Sequence, residues 1–420
     1  MDAPVRIENR AQLIYLLTEA AELEHRIMCC YLFSAFSIKK DVSEGVTEDQ
    51  LAAMNRWRRT ILSVATDEMT HMALACNLLT SVGGKPHTRR PNLPSSPRAY
   101  PPTFKLGLLP FNKESLESFI FLERPEAEHE EAVDMTGTND TPSSLVFFND
   151  IFSSERQYTT MGHLYRGIED GFKYLAQKYG EEGLFVGPTG AQIAKSYFGL
   201  SSLNPVTDLA SAVAAIQGIV EQGEGASGDN ENSHYGRFLA MGNEYDQLLA
   251  DDPDFTPGRP VVENPYAILP QDVEDLSSVN LLDDRISVHI GSLFDGCYEL
   301  LMQVLSRLLM HNQESEEQLA TLASVSIDMM TDVIGPLGEA LTLLPAGKSN
   351  AGMTAGASFR FTRDGTAAPH QVSAWTLFIE RLNERSAYCG ILEIQGSTVP
   401  VLARVKSALA RYAKQLSEAA

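Results

Sequence analysis

Residues 64–86 have the sequence VATDEMTHMALACNLLTSVGGKP and carry ionisable side chains inside an apolar helical stripe. Glu68 lies at the centre of that stripe and His71 lies near its edge. Residues three apart on a helix share a face, so this carboxylate could bridge two metal ions while the imidazole binds one of them. We therefore predict a metal-binding helix that begins near Thr47 and ends at Gly83. Its apolar stripe consists of Trp57, Ile61, Val64, Met72, Ala75 and Leu79.

The preceding segment, from about Ala11 to Phe36, predicts a helix in which Glu24 lies at the centre of the apolar face. A buried carboxylate must be protonated, paired or bound to a metal. A structural carboxylate with satisfied hydrogen bonds is the alternative interpretation of Glu24. The neighbouring His25 lies off the stripe and is expected either behind the ligands or partly exposed. The stripe consists of Leu13, Leu17, Ala20, Met28, Tyr31 and Ala35.

A later helix, broken at 223–228, supplies a second histidine. His234 is in phase with the apolar residues that follow it and is therefore expected to face the core. Either Glu221, before the break, or Glu231, after it, could be the partner carboxylate. A buried structural histidine is the alternative. The residues in phase with His234 are Phe238, Met241, Tyr245 and Leu248.

The helix predicted at 154–179 has no carboxylate on its apolar stripe. His163 lies at the edge of the polar face, and two interpretations stay open: a metal ligand, or a residue that contacts substrate. A further Glu-x-x-His pair, Glu126 and His129, directly follows Pro125 in a charged run and is expected to form a solvated turn.

The predicted fold is mainly α-helical. Residues 1–250 are expected to form a four-helix bundle built for a carboxylate-bridged metal pair, with a short additional helix near 113–123. A proline-rich linker follows at 251–270, and 271–420 is expected to form a C-terminal helical region packed on the bundle. Its helices are predicted at roughly 283–311, 315–343 with a kink at Gly335-Pro336, 371–386 and 398–417.

The composition limits the possible functions. The chain of 420 residues has 33 Lys and Arg against 55 Asp and Glu, a formal net charge of −22. That charge disfavours nucleic acids and anionic membranes as partners. We expect no transmembrane or secretory segment, a cytoplasmic location and free thiols at the five cysteines. The sequence has no nucleotide-binding or serine-hydrolase motif.

Several motifs resemble one family. AELEHRIMCCYLFSAFSIK around Glu24 and DEMTHMALACNLLTSVGGKP around Glu68 resemble the ferritin-like family that includes the iminophenylpyruvate dimer synthases of bisindole pigment biosynthesis. The resemblance continues through TMGHLYRGIEDG, IVEQGEG, SHYGRF, PLGEALTLLPAG and TAGASF, and so covers most of the chain.

The resemblance implies a ferritin-like fold and a non-haem iron protein of secondary metabolism. The ligand positions that it carries over are Glu24, Glu68, His71, Glu221 and His234. The chain departs from the family in one place, since Gly162-His163 stands where the family has Gly-Glu. The dimer synthases are also much longer, with an additional N-terminal region, so their dimerising activity is kept as an alternative.

The expected function is that of an O₂-dependent di-iron oxidase or oxygenase that acts on an amino-acid-derived small molecule in natural-product biosynthesis. The expected cofactors are two Fe ions, with Fe/Mn or Mn as alternatives, and O₂ as co-substrate. The first alternative is a dimer synthase that couples two amino-acid-derived imines. The second is a metal-binding or storage protein without turnover. A homo-oligomer is possible.

Overall fold

The first layer of the fold is an antiparallel pair of long helices. The computed structural model describes residues 7–95, 106–125, 158, 160–200, 202–223, 231–269, 279–311, 313–362, 370–394 and 399–420. Helix α1 (Arg10–Ser37) is capped by the side chain of Asn9, and α2 (Glu48–Ser81) begins with the capping box that Thr47 and Gln50 form. The two helices pack along their lengths, so their central residues meet in mid-bundle.

The second layer consists of four shorter helices instead of two long ones. It contains α3 (Lys113–Glu123), α4 (Met161–Tyr179), α7 (Leu209–Gly223) and α8 (His234–Asp251). Helix α4 packs on α7, and α3 packs on α8. The C-terminal end of α3 and the first residue of α8 therefore lie near the middle of the bundle, facing α1 and α2. Short helices α5 (Glu181–Leu184) and α6 (Lys195–Phe198) join the longer ones.

The C-terminal region is also helical. Its helices are α9 (Arg285–Leu309), α10 (Glu316–Met329), α11 (Gly335–Leu341), α12 (Gln371–Ile394) and α13 (Val401–Ala419). A π-helical turn, Met330–Ile334, joins α10 to α11 where the sequence predicted a kink. Pro336 lies in the first turn of α11, where a missing N–H costs least. Two-residue strands β1 (Pro265–Tyr266) and β2 (Asn280–Leu281) pair in parallel.

The C-terminal region packs directly on the bundle. Phe36 of α1 lies against Gly338 of α11, so closely that a Cβ atom at Gly338 would come within 2.4 Å of the ring. Phe33 lies equally close to Gly356. The buried apolar side chains of both regions belong to one continuous core. The fold is thus the expected mainly helical one, with the second region packed on the first.

The segment that was predicted as a linker is held against the end of α1. Gly258 forms a bridge with Ile38, and Arg259 donates its backbone N–H to the carbonyl of Ser37. A Cβ atom at Gly258 would lie 2.2 Å from the carbonyl oxygen of Phe111, so only glycine fits there. The Arg259 side chain is buried and pairs with Glu44.

Two predicted helix ends differ from those observed. Helix α4 begins at Met161 rather than near 154, because Thr160 caps it by accepting the backbone N–H of His163. Helix α12 continues to Ile394, beyond the predicted end at 386. All five cysteines are free and buried. None of the described helices combines the length and the apolar character that crossing a membrane requires.

Candidate metal centre

The first group of possible metal ligands joins α1 to α2. Glu24, Glu68 and His71 are all buried, and each offers a ligand atom within 4.8 Å of the others. His71 Nδ1 lies 3.1 Å from Glu68 Oε2 and 3.9 Å from Glu24 Oε2. The three residues come together because the apolar stripes of α1 and α2 face each other, which forces the carboxylates within the stripes into the same interior space.

The second group shares Glu68 with the first. Glu68, Glu123 and His234 are buried and again within 4.8 Å of one another. His234 Nδ1 lies 2.9 Å from Glu68 Oε1 and 3.5 Å from Glu123 Oε2. Each carboxylate oxygen of Glu68 therefore faces a different histidine. This is the arrangement that a carboxylate bridging two metal ions requires.

The distal nitrogens of both histidines have acceptors of their own. His71 Nε2 lies 2.9 Å from Oε1 of Gln222, and His234 Nε2 lies 3.3 Å from Oδ2 of Asp67. With a metal pair bound, a proton on each Nε2 would be donated to these oxygens, and each Nδ1 would be the metal-binding atom. Partners of this kind fix the tautomer and orientation of metal-binding histidines.

Two tyrosines hydrogen-bond the outer carboxylates, Glu24 and Glu123, each of which belongs to only one of the two groups. The hydroxyl of Tyr165 donates to Glu24 Oε1 at 2.6 Å, and the hydroxyl of Tyr31 donates to Glu123 Oε1. In each glutamate the other oxygen, Oε2, faces a histidine, His71 for Glu24 and His234 for Glu123. Both carboxylates are thereby oriented with one free oxygen towards the centre. The two groups together are called the cluster below.

The cluster carries more negative charge than its surroundings can compensate. Burial, together with the charge of Glu68, raises the pKa of Glu24 well above its usual range and also raises that of Glu123. Burial also opposes ionisation of Glu68, but the charges of His71 and His234 outweigh it and hold the pKa of Glu68 well below its usual range. For His234, burial is outweighed by Glu123 and Glu68, which raise its pKa. Bound cations would allow all three carboxylates to ionise.

The residues fit a pair of transition-metal ions. His234 Nδ1 is buried 2.9 Å from Glu68 Oε1 and makes no hydrogen bond within the described part of the chain. A buried imidazole nitrogen aimed at carboxylates without a hydrogen bond fits a metal ligand. Carboxylate and imidazole donors together suit Fe, Mn and Zn.

Comparison with known proteins agrees with this geometry. The sequence model of the ferritin-like family matches residues 17–243, which is more than half of the chain. The chain belongs to the ferritin-like family. The matched region contains every residue of the two groups.

Two curated relatives resemble this ferritin-like chain. The 2-imino-3-(indol-3-yl)propanoate dimerase of Chromobacterium violaceum is 27% identical, over 84% of this chain and 34% of the relative. The dichlorochromopyrrolate synthase of Lentzea aerocolonigenes is also 27% identical, over 84% of this chain and 36% of the relative. The chain thus spans about a third of the length of these relatives. A solved ferritin-like protein from Caulobacter vibrioides is 16% identical with a TM-score of 0.47, covering 77% of this chain and 95% of its own.

Three of the predicted ligands are not in either group. Glu221 and Glu231 are exposed on the two sides of the break between α7 and α8, and point away from the ferritin-like core. His163 is buried near the start of α4 but lies outside both groups. On α4 the small cavity beside the cluster is lined instead by Gly162 and Tyr165.

Sequence reasoning missed Glu123. It follows Leu116 and Phe119 at helical spacing, so it lies on the apolar stripe of the short helix α3. A carboxylate within an apolar helical stripe is the pattern that identified Glu24 and Glu68. The same pattern is present at Glu123 in the 11-residue helix α3. The nearby pair Glu126 and His129 lies outside the described residues.

His25 serves another part of the structure. It is fully buried, and its Nε2 hydrogen-bonds the hydroxyl of Tyr298 on α9. It therefore faces the C-terminal region, on the side of α1 away from Glu68. The sequence predicted that His25 is either partly exposed or directly behind the ligands, and the structure shows neither position.

Proposed function

We propose that this chain is a metal-dependent enzyme of natural-product biosynthesis that uses a carboxylate-bridged pair of iron ions to oxidise an amino-acid-derived small molecule with O₂. The observation that carries the proposal is the position of Glu68, whose two oxygens face two different histidines. A structural salt bridge would need only one of them.

The described residues divide naturally between two metal positions. Glu24 and His71 would hold one ion, Glu123 and His234 would hold the other, and Glu68 would bridge them. Iron in both positions is the first choice, with Fe/Mn or Mn as alternatives, since the donor set suits all of these. When bound, such a pair with open coordination positions supplies the activation of O₂.

The chain's own residues supply orientation and exclusion of water. Gln222 and Asp67 would accept the Nε2 protons of the two metal-bound histidines and leave Nδ1 available at both positions. Tyr165 and Tyr31 restrict the outer carboxylates to one orientation each. All five ligand residues are buried, which keeps bulk water from the reacting centre.

The names of the two relatives favour a second candidate. The first name indicates the joining of two molecules of an indole-containing imine, and the second indicates the synthesis of dichlorochromopyrrolate. We therefore keep oxidative coupling of two amino-acid-derived imines as the alternative reaction of the same centre. Storage of metal without turnover is the third possibility, and it predicts no dependence on an organic substrate.

The test is anaerobic loading of the full chain with Fe(II), followed by a pulse of O₂ that is monitored by absorbance and O₂ consumption. We expect rapid O₂ uptake that increases when 2-imino-3-(indol-3-yl)propanoate, generated in solution, is present. The Glu68→Gln variant serves as control and should lose that increase. Uptake that is the same with and without the imine would support storage and contradict the proposed enzyme for this substrate class.

A further inference from the structure

A cavity of about 800 Å³ lies between the bundle and the C-terminal region. Residues of α1 and α2 form one wall, and residues of α9, the π-helical turn, α11 and α13 form the other. Its volume is within the range of pockets that enclose a small organic molecule. Five methionines contribute to an otherwise largely apolar lining, and their flexible thioether side chains adapt well to flat rings. They are Met28, Met69, Met72, Met302 and Met330.

This cavity is separate from the metal centre. None of the five ligand residues lines it. Helix α2 presents Glu68 and His71 to the cluster, and it presents Ala65, Met69 and Met72 to the cavity. The large cavity shares no lining residue with the small cavity beside the cluster.

One end of the cavity is positively charged. Lys40 and Arg58 both pair with the same carboxylate oxygen, Oε1 of Glu339, so two cations share one anion. Arg404 also lines the cavity and is exposed. Arg259, by contrast, is committed to Glu44. The end formed by Lys40, Arg58 and Glu339 therefore has one positive charge in excess.

Arg58 has donor capacity that the fold does not use. Its Nη2 donates to Glu339, its Nε is buried, and its Nη1 makes no hydrogen bond with the described residues. A quarter of the side chain is exposed, so the Nη1 group can donate to a molecule in the cavity. A guanidinium group that presents unused N–H groups suits a carboxylate, since the two are planar and complementary.

We propose that this cavity binds an aromatic carboxylate. The flat apolar part of the ligand would lie among the methionines, and its carboxylate would accept hydrogen bonds from Arg58. A neutral apolar ligand would leave the Arg58 donor unsatisfied and the excess charge uncompensated, so the anion is favoured over its uncharged analogue. The site goes beyond the metal chemistry, because nothing in its lining requires a metal.

The test compares two probes of nearly equal shape, indole-3-acetate and indole-3-acetamide, by titration calorimetry on the full chain. We expect the acid to bind about tenfold or more tightly than the amide, since a charge-assisted hydrogen bond is lost in the amide. Arg58→Gln should weaken binding of the acid to about the level of the amide and leave the amide unchanged. The control is Arg56→Gln, which removes a surface pair with Glu244 on another face of α2 and should change neither affinity.

A second variant separates the cavity from general effects on folding. Met69→Trp fills the apolar part and should abolish binding of both probes, while the melting temperature shows that the variant is folded. Binding should persist after dialysis against a chelator, whereas metal-dependent turnover should not. Equal affinities for acid and amide, an unchanged affinity in Arg58→Gln, or no binding of either probe would each overturn the proposal.

Discussion

The Nδ1 atom of His234 lies 2.9 Å from Oε1 of Glu68, so the first residue of α8 meets the middle of α2. Ser233 fixes this position, because its hydroxyl accepts the backbone N–H of Gly236 and so determines where α8 begins. Within α2 and on the same face, Glu68 Oε2 lies 3.1 Å from His71 Nδ1. One carboxylate thereby connects two helical layers, and several predictions about metal binding depend on it.

Replacing the shared carboxylate should affect both metal positions. We expect about two transition-metal ions per chain in the native protein, as in other bundles with two carboxylate–histidine groups. Glu68→Gln should lose most of both ions, because one residue serves both positions. Metal content is measured by plasma mass spectrometry on protein purified without chelators. Glu22→Gln, at a partly exposed carboxylate on α1, is the control, and equal metal content in the two variants would contradict the bridging role.

The second prediction distinguishes Glu123 from the carboxylates that the sequence suggested. Glu123→Gln should lower the metal content by about one ion, since it serves only the position of His234. Glu221→Gln and Glu231→Gln remove exposed carboxylates outside both groups and should leave the metal content unchanged. Loss of metal in either of these two variants, with retention in Glu123→Gln, would reverse the assignment.

These residues show what the sequence could and could not predict. Glu24, Glu68 and His71 lie on long regular helices, where an ionisable side chain in an apolar stripe is conspicuous and its face can be calculated. His234 was also placed facing the core by its phase with Phe238. The partner of His234 is Glu123, which lies on another helix, α3. Helical periodicity within α8 does not indicate which other helix lies opposite it.

The sequence did not predict the cavity between the bundle and the C-terminal region, for a related reason. The C-terminal helices were predicted, although α12 continues to Ile394 rather than 386, and their packing on the bundle was expected. However, the faces that meet are determined by contacts between residues far apart in the chain, such as Arg58 with Glu339. Helical phase identifies an apolar face, but it does not identify the helix that will cover that face.

The tyrosines that orient the outer carboxylates should tune the affinity for metal. Tyr165→Phe removes the hydrogen bond to Glu24, and Tyr31→Phe removes the one to Glu123. Each variant should bind one ion more weakly, by about 10- to 100-fold, as is usual when a group behind a metal ligand is removed. Competition with a chromophoric chelator measures the two affinities. Unchanged affinity in both variants would show that the hydroxyls do not support the ligands.

Adding a single methyl group at Gly338, where α11 packs on α1, should destabilise the fold. Gly338→Ala would place a carbon atom within 2.4 Å of the Phe36 ring, and relieving that contact should cost about 1–3 kcal/mol of unfolding free energy. Gly335→Ala is the matched control in the same helix, because its added carbon meets the nearest atom at 3.4 Å. Urea unfolding followed by circular dichroism compares them. Equal stability of the two variants would show that the regions are less tightly packed than the contact indicates.

A buried carboxylate in the C-terminal region should make stability depend on pH. Burial raises the pKa of Asp295 on α9 from its ordinary value of 3.8 to about 7, although the hydroxyl of Ser358 and the backbone N–H of Arg360 donate to it and act in the opposite direction. Between these two pKa values the folded chain holds a proton that the unfolded chain has released. The contribution of Asp295 to stability is therefore complete below about pH 4 and declines as the pH rises to about 7, by up to about 1.4 kcal/mol per pH unit.

Asp295→Asn should remove this decline, because an amide does not ionise. Its oxygen can accept from the backbone N–H of Arg360, and its NH₂ group can donate to the hydroxyl of Ser358. The free energy of unfolding of the variant, relative to the native chain, should rise between about pH 4 and pH 7 and stay constant above that range. Ser358→Ala removes a hydrogen bond that favours the ionised form, so it should extend the decline of the native chain to higher pH. Urea unfolding at a series of pH values measures all three proteins. A difference between Asp295→Asn and the native chain that does not change with pH would show that Asp295 is ionised throughout.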